Sequence, residues 1–509
     1  MPSGWIAIIA CVIPLSAFAQ NAAVRAGAES LTASDVRRRI EIIAHDSMGG
    51  RDTPSRGLNL TASYIAGEFA RLGLRGGGDS GSFIQRYRIA RARLDGEASK
   101  VVVSAGGSTV TATARRDLVY MFGPRTGRPV RAPVVVVGGA LQLGAAKSLP
   151  IAGKILVVVG DRRRSKSIAV NQFLSGVYER NPAAVIIVMN NDTNTFAKQT
   201  ANQFRERGAV QDEADTDPVV VMVHERALGA VFRAAGIDLV QLRHAARVTV
   251  RDAAPMSITV TAANEGGIGV TAPNVAGILI GSDPALRDEY LLVSAHMDHV
   301  GITPTAKGDS IWNGADDDAS GTAGVVELAE AFSRPGARPR RSIVFLAVSG
   351  EEKGLWGSEY FANHLPVPLS SIVADLNMDM IGRNWRDTIV VIGKEHSDLG
   401  VTLQRVGAEH PELDMQGIDD LWPSENFYYR SDHYNFARRG IPILFFFNGT
   451  HKDYHEASDS PDKIDAEKES RILKLVYYLG QEIGNAAQRP KWNPESFRKI
   501  VDRKYQPEH

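Results

Sequence analysis

The chain has very little cysteine: Cys11 is the single one among 509 residues. Because a disulfide needs two thiols, an internal disulfide framework is excluded. The chain also lacks an excess of either charge, since lysine plus arginine and aspartate plus glutamate number 58 each. This balance excludes the strong net field that attracts nucleic acid or anionic lipid. We therefore expect no nucleic-acid partner and local recognition of the target.

The apolar run at the N-terminus, from Trp5 to Leu15, is shorter than the roughly 20 apolar residues that a membrane-spanning helix needs. It is followed by the sequence AFA at 17–19, a small-x-small pattern that signal peptidase cleaves. Residues 1–19 are therefore predicted to be a signal peptide, with no stable membrane anchor. Because Cys11 lies in this segment, the mature chain would have no cysteine, which favours a bacterial periplasmic or secreted protein over a disulfide-stapled ectodomain.

The pattern of apolar and polar residues changes along the chain, which predicts more than one domain. With 44% hydrophobic residues, a chain of this length can form more than one hydrophobic core. Residues 20–95 begin with two predicted helices, the first capped by Ser34. Residues 96–255 contain short valine-rich strands between Gly, Asp and Arg clusters, and predict a separate small β-rich module. Apolar strands then alternate with helices over 256–489, and a polar extension covers 490–509.

The alternation over 256–489 includes the segments EYLLVSA, SIVFLAVSG and SSIVADLNM. Continuous apolar strands with intervening helices are typical of a doubly wound, mostly parallel α/β sheet that is buried on both faces. In such sheets, ligands bind beyond the carboxyl ends of the strands.

Five separate segments bring titratable residues to that predicted rim. These residues are His296 and Asp298, the aspartates Asp316, Asp317 and Asp318, the doublet Glu351 and Glu352, then Asp379 and His455. Carboxylates that crowd together repel one another unless several are protonated or cations lie among them. Histidines with carboxylates suit zinc, and two zinc ions can share one bridging carboxylate. With one bridge, two His, one Asp and one Glu supply two further ligands to each metal.

The adjacent glutamates Glu351 and Glu352 can act as a general base and a metal ligand, because successive side chains point in different directions. Other residues have simpler interpretations. Any one of the three loop aspartates can cap the helix near 321–333, His299 and His433 are interpreted as hydrogen-bonded structural histidines, and Arg162, Arg163 and Arg164 as a solvated turn.

Six segments resemble the exported di-zinc aminopeptidases of peptidase family M28, in the same order and with similar gaps: SAHMDHVG, GDSIWNGADDDASGTA, VSGEEKGLWGSEYF, LNMDMIGR, SDHYNFARRGIPILFF and YHEASDSPDKID. The resemblance covers roughly 34–95 and 256–486. It implies a zinc-exopeptidase fold, two Zn²⁺ per chain and a peptide substrate. The middle module, around 151–192, resembles the protease-associated domain that some members insert.

The resemblance also implies individual roles. Asp317 would bridge the two zinc ions, His296 and Asp379 would complete one metal site, and Glu352 with His455 the other. Glu351 would be the general base, and Asp298 would orient the His296 imidazole. The family places a cis peptide bond after the bridging aspartate, and its substrate-contacting tyrosine falls on Tyr428.

The sequence favours an aminopeptidase acting on short peptides, yet leaves alternatives. A carboxypeptidase or dipeptidase needs a cationic clamp for a terminal carboxylate, for which Arg383 and Arg430 are candidates. The same scaffold also serves glutaminyl cyclases and binding proteins without metal. All the implied ligands and the base are present here, which favours the enzyme.

Overall fold

The computed structural model describes residues 15–141, 146, 149–160, 173, 176–178, 180–190, 192–204, 207–211, 218–253, 255–304 and 308–507. Residues 1–14 of the predicted signal peptide and the arginine run 162–164 lie outside the described residues. The helix Leu15–Glu29 contains the predicted cleavage point. Among the described helices, none combines the length and the apolarity needed to cross a bilayer.

The chain folds into two compact units. Met1–Tyr87 and Thr271–His509 together form the first unit, and Arg88–Val270 forms the second. The predicted β-rich module, 96–255, lies within the second unit. The points where the chain passes from one unit to the other lie in the strands Ile84–Leu94 and Asn264–Leu279.

The first helix after Leu15–Glu29 shows how local sequence sets the elements of the first unit. Val36, Ile40 and Ile43 repeat at helical spacing and are buried. The side chain of Thr32 accepts the N–H of Asp35, so Thr32 caps this helix and the expectation of a cap at Ser34 is wrong. The α-helices of this unit are Leu15–Glu29, Ala33–Ile43, Arg56–Arg71, Gly321–Ser333, Trp356–Asn363, Leu399–Glu409, His433–Ala437, Ala466–Asn485 and Pro494–Ile500.

The first unit is built on a mixed sheet whose central pairs are parallel. Its strands lie side by side in the order Asn264–Leu279, Ser342–Val348, Tyr290–His296, Ile372–Met378, Ile443–Phe446, Thr388–Ile392 and Gln416–Ile418. Parallel pairing joins Ser342–Val348 to Tyr290–His296, Tyr290–His296 to Ile372–Met378, and Ile372–Met378 to Ile443–Phe446. Two pairs are antiparallel, at Asn264–Leu279 with Ser342–Val348 and at Thr388–Ile392 with Ile443–Phe446. Arg75–Gly76 also pairs with Asn264–Leu279, and Gly301–Ile302 pairs with Ile311–Trp312.

Three neighbouring strands of this sheet are buried along their whole length: Tyr290–His296, Ser342–Val348 and Ile372–Met378. This burial explains why their sequences are continuous apolar runs without alternation. Because the three are mutually parallel, their carboxyl ends meet at one edge of the sheet.

The second unit contains a sheet of six strands and a sheet of four. The six-stranded sheet has the order Thr249–Asp252, Val134–Gly138, Ile155–Val159, Ala184–Met189, Val219–His224 and Leu118–Phe122. The four-stranded sheet has the order Ser108–Thr113, Lys100–Ala105, Ser257–Thr261 and Val130–Arg131. Arg207–Gln211 pairs with residues 88–92. The described α-helices of this unit are Thr193–Asn202, Glu225–Ala234 and Leu239–Arg243.

Candidate metal centre

The predicted site residues follow the strands that end at one edge of the sheet in the first unit. His296 is the last residue of its strand, Glu351 and Glu352 follow Ser342–Val348, and Asp379 follows Ile372–Met378. His455 lies in the segment after Ile443–Phe446. Parallel pairing therefore brings residues from distant parts of the sequence to one edge, as expected for an α/β sheet.

The loop that carries Asp317 depends on Gly314. Gly314 has φ of 56°, and a Cβ there would lie 2.2 Å from the carbonyl oxygen of Asp317 and 2.5 Å from the His299 ring. A side chain is thus excluded by both backbone conformation and space. The Asp459 carboxylate accepts the N–H groups of Asp316 and Asp317 at 3.0 and 3.1 Å. The peptide bond between Asp317 and Asp318 is cis, as the resemblance implied.

The two carboxylate oxygens of Asp317 face two different sets of ligand atoms. Oδ1 lies 3.3 Å from Nε2 of His296, which is itself 3.6 Å from Oδ1 of Asp379. Oδ2 lies 3.1 Å from Nε2 of His455, which is 3.0 Å from Oε2 of Glu352. The structure therefore brings all five predicted ligands together, with Asp317 between the two sets.

The chemistry of these atoms fits bound cations. Several buried atoms in the second set make no hydrogen bond within the described part of the chain: Oδ2 of Asp317, Oε1 of Glu352, Nε2 of His455 and both ring nitrogens of His299. Burying polar atoms without partners is costly unless a hydrogen bond or a metal satisfies them. Imidazole nitrogen and carboxylate oxygen are the donor set that zinc accepts. The residues present therefore fit zinc.

His299 joins this second set, against the interpretation of His299 as a structural histidine. Its side chain is fully buried, and Nδ1 lies 3.0 Å from Oε1 of Glu352 and 3.7 Å from Oδ2 of Asp317. His299, Asp317, Glu352 and His455 each offer one ligand atom, and these atoms lie within 4.8 Å of one another. The available sequence signal was the second histidine of HMDH, directly after a predicted strand end.

Asp318 and Asp316 have structural partners. The carboxylate of Asp318 accepts the backbone N–H groups of His296, Gly321 and Met380 at 3.2, 2.9 and 3.1 Å. Although Asp318 also lies within reach of His296 and Asp379, three N–H donors already use its oxygens, so Asp317 is the better ligand of that set. Asp316 accepts the N–H of Gly382 and contacts His451 at 3.1 Å.

Asp298 differs in detail from the role that the resemblance implied. Nδ1 of His296 lies 3.2 Å from the backbone carbonyl oxygen of Asp298 and 3.7 Å from its carboxylate. The backbone carbonyl therefore orients the imidazole. The carboxylate instead accepts the Thr53 hydroxyl at 3.0 Å and the N–H of Glu351 at 3.2 Å. Asp298 thereby fixes the start of the segment that carries the glutamate doublet.

Arg51 is a further site residue that the sequence reasoning missed. Its guanidinium is fully buried and donates to the carbonyl oxygens of Met297 at 2.9 Å and Gly314 at 2.8 Å, with further bonds to Ile43 and Asn313. Burial lowers the pKa of Arg51, while Asp317 and Asp298 act in the opposite direction. A guanidinium stays charged in proteins. Arg51 therefore joins the segments that carry His296 and Asp317. Its positive charge interacts with the carboxylates of Asp317 and Asp298.

A cleft opens on the first ligand set. It is lined by His296, Asp317, Glu351, Asp379, Met380, Phe427, Arg430, Ser431, Phe445, Phe447, Thr450 and Tyr454. Burial raises the pKa of the Glu351 carboxyl well above its usual range; His296 opposes this, and Asp432 adds to it. A carboxyl in such surroundings holds a proton more readily than an exposed one, as a group that takes up and releases protons must.

Tyr428 is packed among histidine rings. Its side chain is buried against the rings of His396 and His433, at centroid distances of 4.6 and 5.5 Å, and it is not among the residues that line the cleft. The substrate contact at Tyr428 therefore stays a prediction. The tyrosine that lines the cleft is Tyr454, which stacks on His455 with ring centroids 4.0 Å apart.

The two candidate clamp arginines differ in their partners. Arg383 lies 3.0 Å from the carboxylate of Asp453 and 3.9 Å from that of Asp459, so its guanidinium already has acidic partners. Arg430 lines the cleft, lies over the Phe427 ring at 4.7 Å, and keeps 49% of its side chain exposed. His433 stacks on Phe445 and lies outside both ligand sets.

Comparison with known proteins finds a family model that matches the region of the candidate ligands. Residues 274–480 match Peptidase family M28. The chain is 27% identical over 220 residues to a probable zinc metalloprotease of Pyrenophora tritici-repentis, covering 37% of this chain and 44% of that protein. It is 30% identical over 197 residues to leupeptin-inactivating enzyme 1 of Streptomyces exfoliatus, with coverage of 38% and 40%. The chain thus spans somewhat less than half the length of these curated relatives.

Among solved structures, the aminopeptidase from Aneurinibacillus sp. strain AM-1 is similar at 18% identity and a TM-score of 0.47, covering 91% of this chain and 96% of that chain.

Proposed function

We propose that the chain is a zinc-dependent aminopeptidase that holds two zinc ions and removes N-terminal residues from short peptides. The observation that carries this proposal is the position of Asp317 between two ligand sets, in a cleft that Glu351 also lines. A shared carboxylate of this kind suits a pair of metals that act on one substrate. The match of residues 274–480 to Peptidase family M28 and the names of the relatives support the same reaction class.

Each residue of the site has a defined task in this proposal. Zinc, when bound, polarises the substrate carbonyl and lowers the pKa of water. The Glu351 carboxylate accepts a proton from water and returns it to the amine of the leaving peptide. Asp298 holds the backbone N–H of Glu351, so the base is fixed at the wall of the cleft. Ser431 donates to Oδ2 of Asp379, which leaves Oδ1 turned to His296.

The cleft indicates the substrate class. Its lining includes the carboxylates of Asp317, Glu351 and Asp379, which suit a positively charged terminal amine. The lining also includes apolar side chains, namely Met380, Phe427, Phe445 and Phe447. Apolar side chains gain most from burial against such a lining. The preferred N-terminal residue is therefore apolar.

The test is a paired assay on one tripeptide that begins with leucine, in N-acetylated and C-amidated forms, together with the zinc content of the purified protein. An aminopeptidase loses cleavage on N-acetylation and keeps it on C-amidation, with close to two zinc ions per chain. Zinc binding with cyclisation of N-terminal glutamine would assign a glutaminyl cyclase instead. A chain that binds no zinc after loading and cleaves none of these peptides is a binding protein, and the proposal then fails.

Arg430 favours a second candidate, a carboxypeptidase or dipeptidase. Its half-exposed guanidinium at the cleft can pair with a terminal carboxylate. In that case C-amidation, rather than N-acetylation, abolishes cleavage. The ligand sets and the role of Glu351 are unchanged.

The proposal extends to the rest of the chain. We propose that the first unit is a doubly wound peptidase domain, that the second unit is a protease-associated insertion, and that the chain is exported to the periplasm or medium of a bacterium. The parallel central strands and the valine-rich sheets of the second unit support the first two points. The N-terminal apolar segment supports the third. N-terminal sequencing of the protein from a fractionated bacterial host tests export, because cleavage after Ala19 would leave Gln20 first.

A further inference from the structure

The two ligand sets around Asp317 differ in number. One set contains His296, Asp379 and Oδ1 of Asp317. The other contains His455, Glu352 and Oδ2 of Asp317, and His299 is placed with them. The sequence motifs predict two unshared ligands for each metal. With His299, one metal has three unshared ligands and the other has two.

Distances between ligand atoms test whether His299 belongs to the coordination shell. Ligands about 2.0–2.1 Å from a tetrahedral zinc lie about 3.3 Å from each other. In the second set, Nδ1 of His299 lies 3.0 Å from Oε1 of Glu352 and 3.7 Å from Oδ2 of Asp317. Nε2 of His455 lies 3.1 Å from the same Asp317 oxygen and 3.0 Å from the other oxygen of Glu352, Oε2. Each separation is close to the distance between two ligand atoms on one zinc ion, and one atom from each of the four residues lies within 4.8 Å of the others.

Orientation separates a ligand from a hydrogen-bond partner. Nδ1 of His299 and Oε1 of Glu352 lie 3.0 Å apart, yet neither atom makes a hydrogen bond with any residue that the structure describes. Two close atoms that do not point at each other are satisfied when both point to a common cation. The full burial of His299 makes an unsatisfied ring nitrogen costly, which favours the same assignment.

The cleft adds an independent difference between the two sets. His296, Asp317 and Asp379 line it, whereas His299, Glu352 and His455 are not among its lining residues. Structural zinc sites are closed by four protein ligands, while catalytic sites keep three and an open position. All three members of the three-ligand set therefore line the cleft, whereas Asp317 is the member of the four-ligand set that does so.

We propose that His299 is a metal ligand, so that the two zinc positions are unequal: a four-ligand site formed by His299, Asp317, Glu352 and His455, and a three-ligand site at the cleft formed by His296, Asp317 and Asp379. This inference rests on the proposed di-zinc function. It predicts that the first zinc ion occupies the four-ligand site with higher affinity, and that the second occupies the site at the cleft.

X-ray absorption at the zinc edge of the wild-type protein tests the ligand directly. Three imidazoles shared by two zinc ions support the proposal, and two imidazoles overturn it. This measurement needs no variant and no activity.

Zinc titration against a chelating dye provides the second test, on wild type, His299→Ala and His299→Gln. Loss of residues outside the coordination shell costs about 10–100-fold in metal affinity, so loss of a ligand should weaken the tighter class by more than about 100-fold. His433→Ala is the matched control, because His433 is equally buried but stacks on Phe445 outside both sets. Circular dichroism identifies variants that fail to fold.

The outcomes separate this inference from the proposed function. A protein that cleaves peptides and keeps two zinc ions at wild-type affinity in a folded His299→Gln variant overturns the role of His299 alone. A wild-type protein that binds no zinc and cleaves no peptide overturns the proposed function, and this inference with it.

Discussion

The hydroxyl of Thr53 donates to Oδ2 of Asp298 across 3.0 Å, and the same oxygen of Thr53 accepts the N–H of Gly350 at 3.1 Å. These bonds join the N-terminal part of the chain to the segments that carry His296 and Glu351. Thr53 lies outside residues 274–480, which match the peptidase family. A segment outside the family match therefore helps to organise the site. Arg51 lies in the same segment, two positions before Thr53.

Thr53→Val should lower kcat/KM by about 10–100-fold, because it removes the donor that holds Asp298 and leaves a buried carboxylate oxygen without that partner. Zinc content should change little, since none of the proposed ligands is altered. Thr53→Ser keeps the hydroxyl and serves as the matched control. Steady-state kinetics with zinc analysis measure both effects, and equal activity in Thr53→Val and Thr53→Ser would contradict the role of this hydrogen bond.

The glutamate doublet should separate into two functions. Glu351→Gln should retain both zinc ions and lose about 10²–10⁴-fold in kcat, because an amide cannot accept the proton. Glu352→Gln should instead lose zinc from the four-ligand site, since Oε2 of Glu352 lies 3.0 Å from Nε2 of His455, another proposed ligand of that site. Metal analysis and kcat on both variants decide the roles. Loss of zinc in Glu351→Gln with retention in Glu352→Gln would show that the roles are reversed.

Much of the fold and site could be predicted because both depend on local sequence signals. Apolar runs that are buried on both faces identify Tyr290–His296, Ser342–Val348 and Ile372–Met378 as strands, and the residues after them are the candidate ligands. The helix Gly321–Ser333 also lies at its predicted position. The cis bond after Asp317 came from resemblance, because no propensity encodes it.

What the sequence could not predict depends on contacts between distant residues. Arg51 lies 246 positions from Met297, to whose carbonyl it donates, and no local pattern marks such a pair. His299 is ambiguous in sequence, because a histidine beside a strand end can serve as a structural residue or as a ligand. The packing of the Tyr428 ring against His396, 32 positions away, is likewise a contact that no local pattern marks. Only the packed structure settles these positions.

Arg430→Ala distinguishes between the two substrate classes. If the chain is an aminopeptidase, the variant should cleave leucyl-nitroanilide within about threefold of wild type, because this substrate has no carboxylate for the guanidinium to bind. Arg438→Ala is a control from a nearby position, since Arg438 pairs with Asp502 outside the cleft lining. A carboxylate clamp predicts a rise in KM for free tripeptides of at least about 10-fold, with little change for their C-amides. The ratio of KM values for acid and amide substrates is therefore the deciding measurement.

Glu469 in the helix Ala466–Asn485 should make stability depend on pH. Its carboxyl is fully buried, and neither oxygen makes a hydrogen bond within the described residues. Burial raises the pKa of Glu469 well above the ordinary 4.5; the neighbouring Asp316 adds to this, and Lys468 opposes it. A carboxyl whose folded pKa exceeds its unfolded pKa costs stability as pH rises, because the unfolded chain releases the proton first.

The free energy of unfolding should therefore decrease above about pH 4.5 by up to about 1.4 kcal/mol per pH unit from this group, until the folded pKa is reached. Glu469→Gln removes the titration while keeping the shape of the neutral acid. The variant should be more stable than wild type at pH 7, and the difference should vanish below about pH 4.5. Glu467→Gln, at an exposed position of the same helix, is the matched control and should show no such trend. Urea unfolding from pH 4 to pH 8 measures the difference, and a Glu469→Gln variant that is less stable than wild type at pH 7 would show that the folded protein keeps this carboxylate ionised.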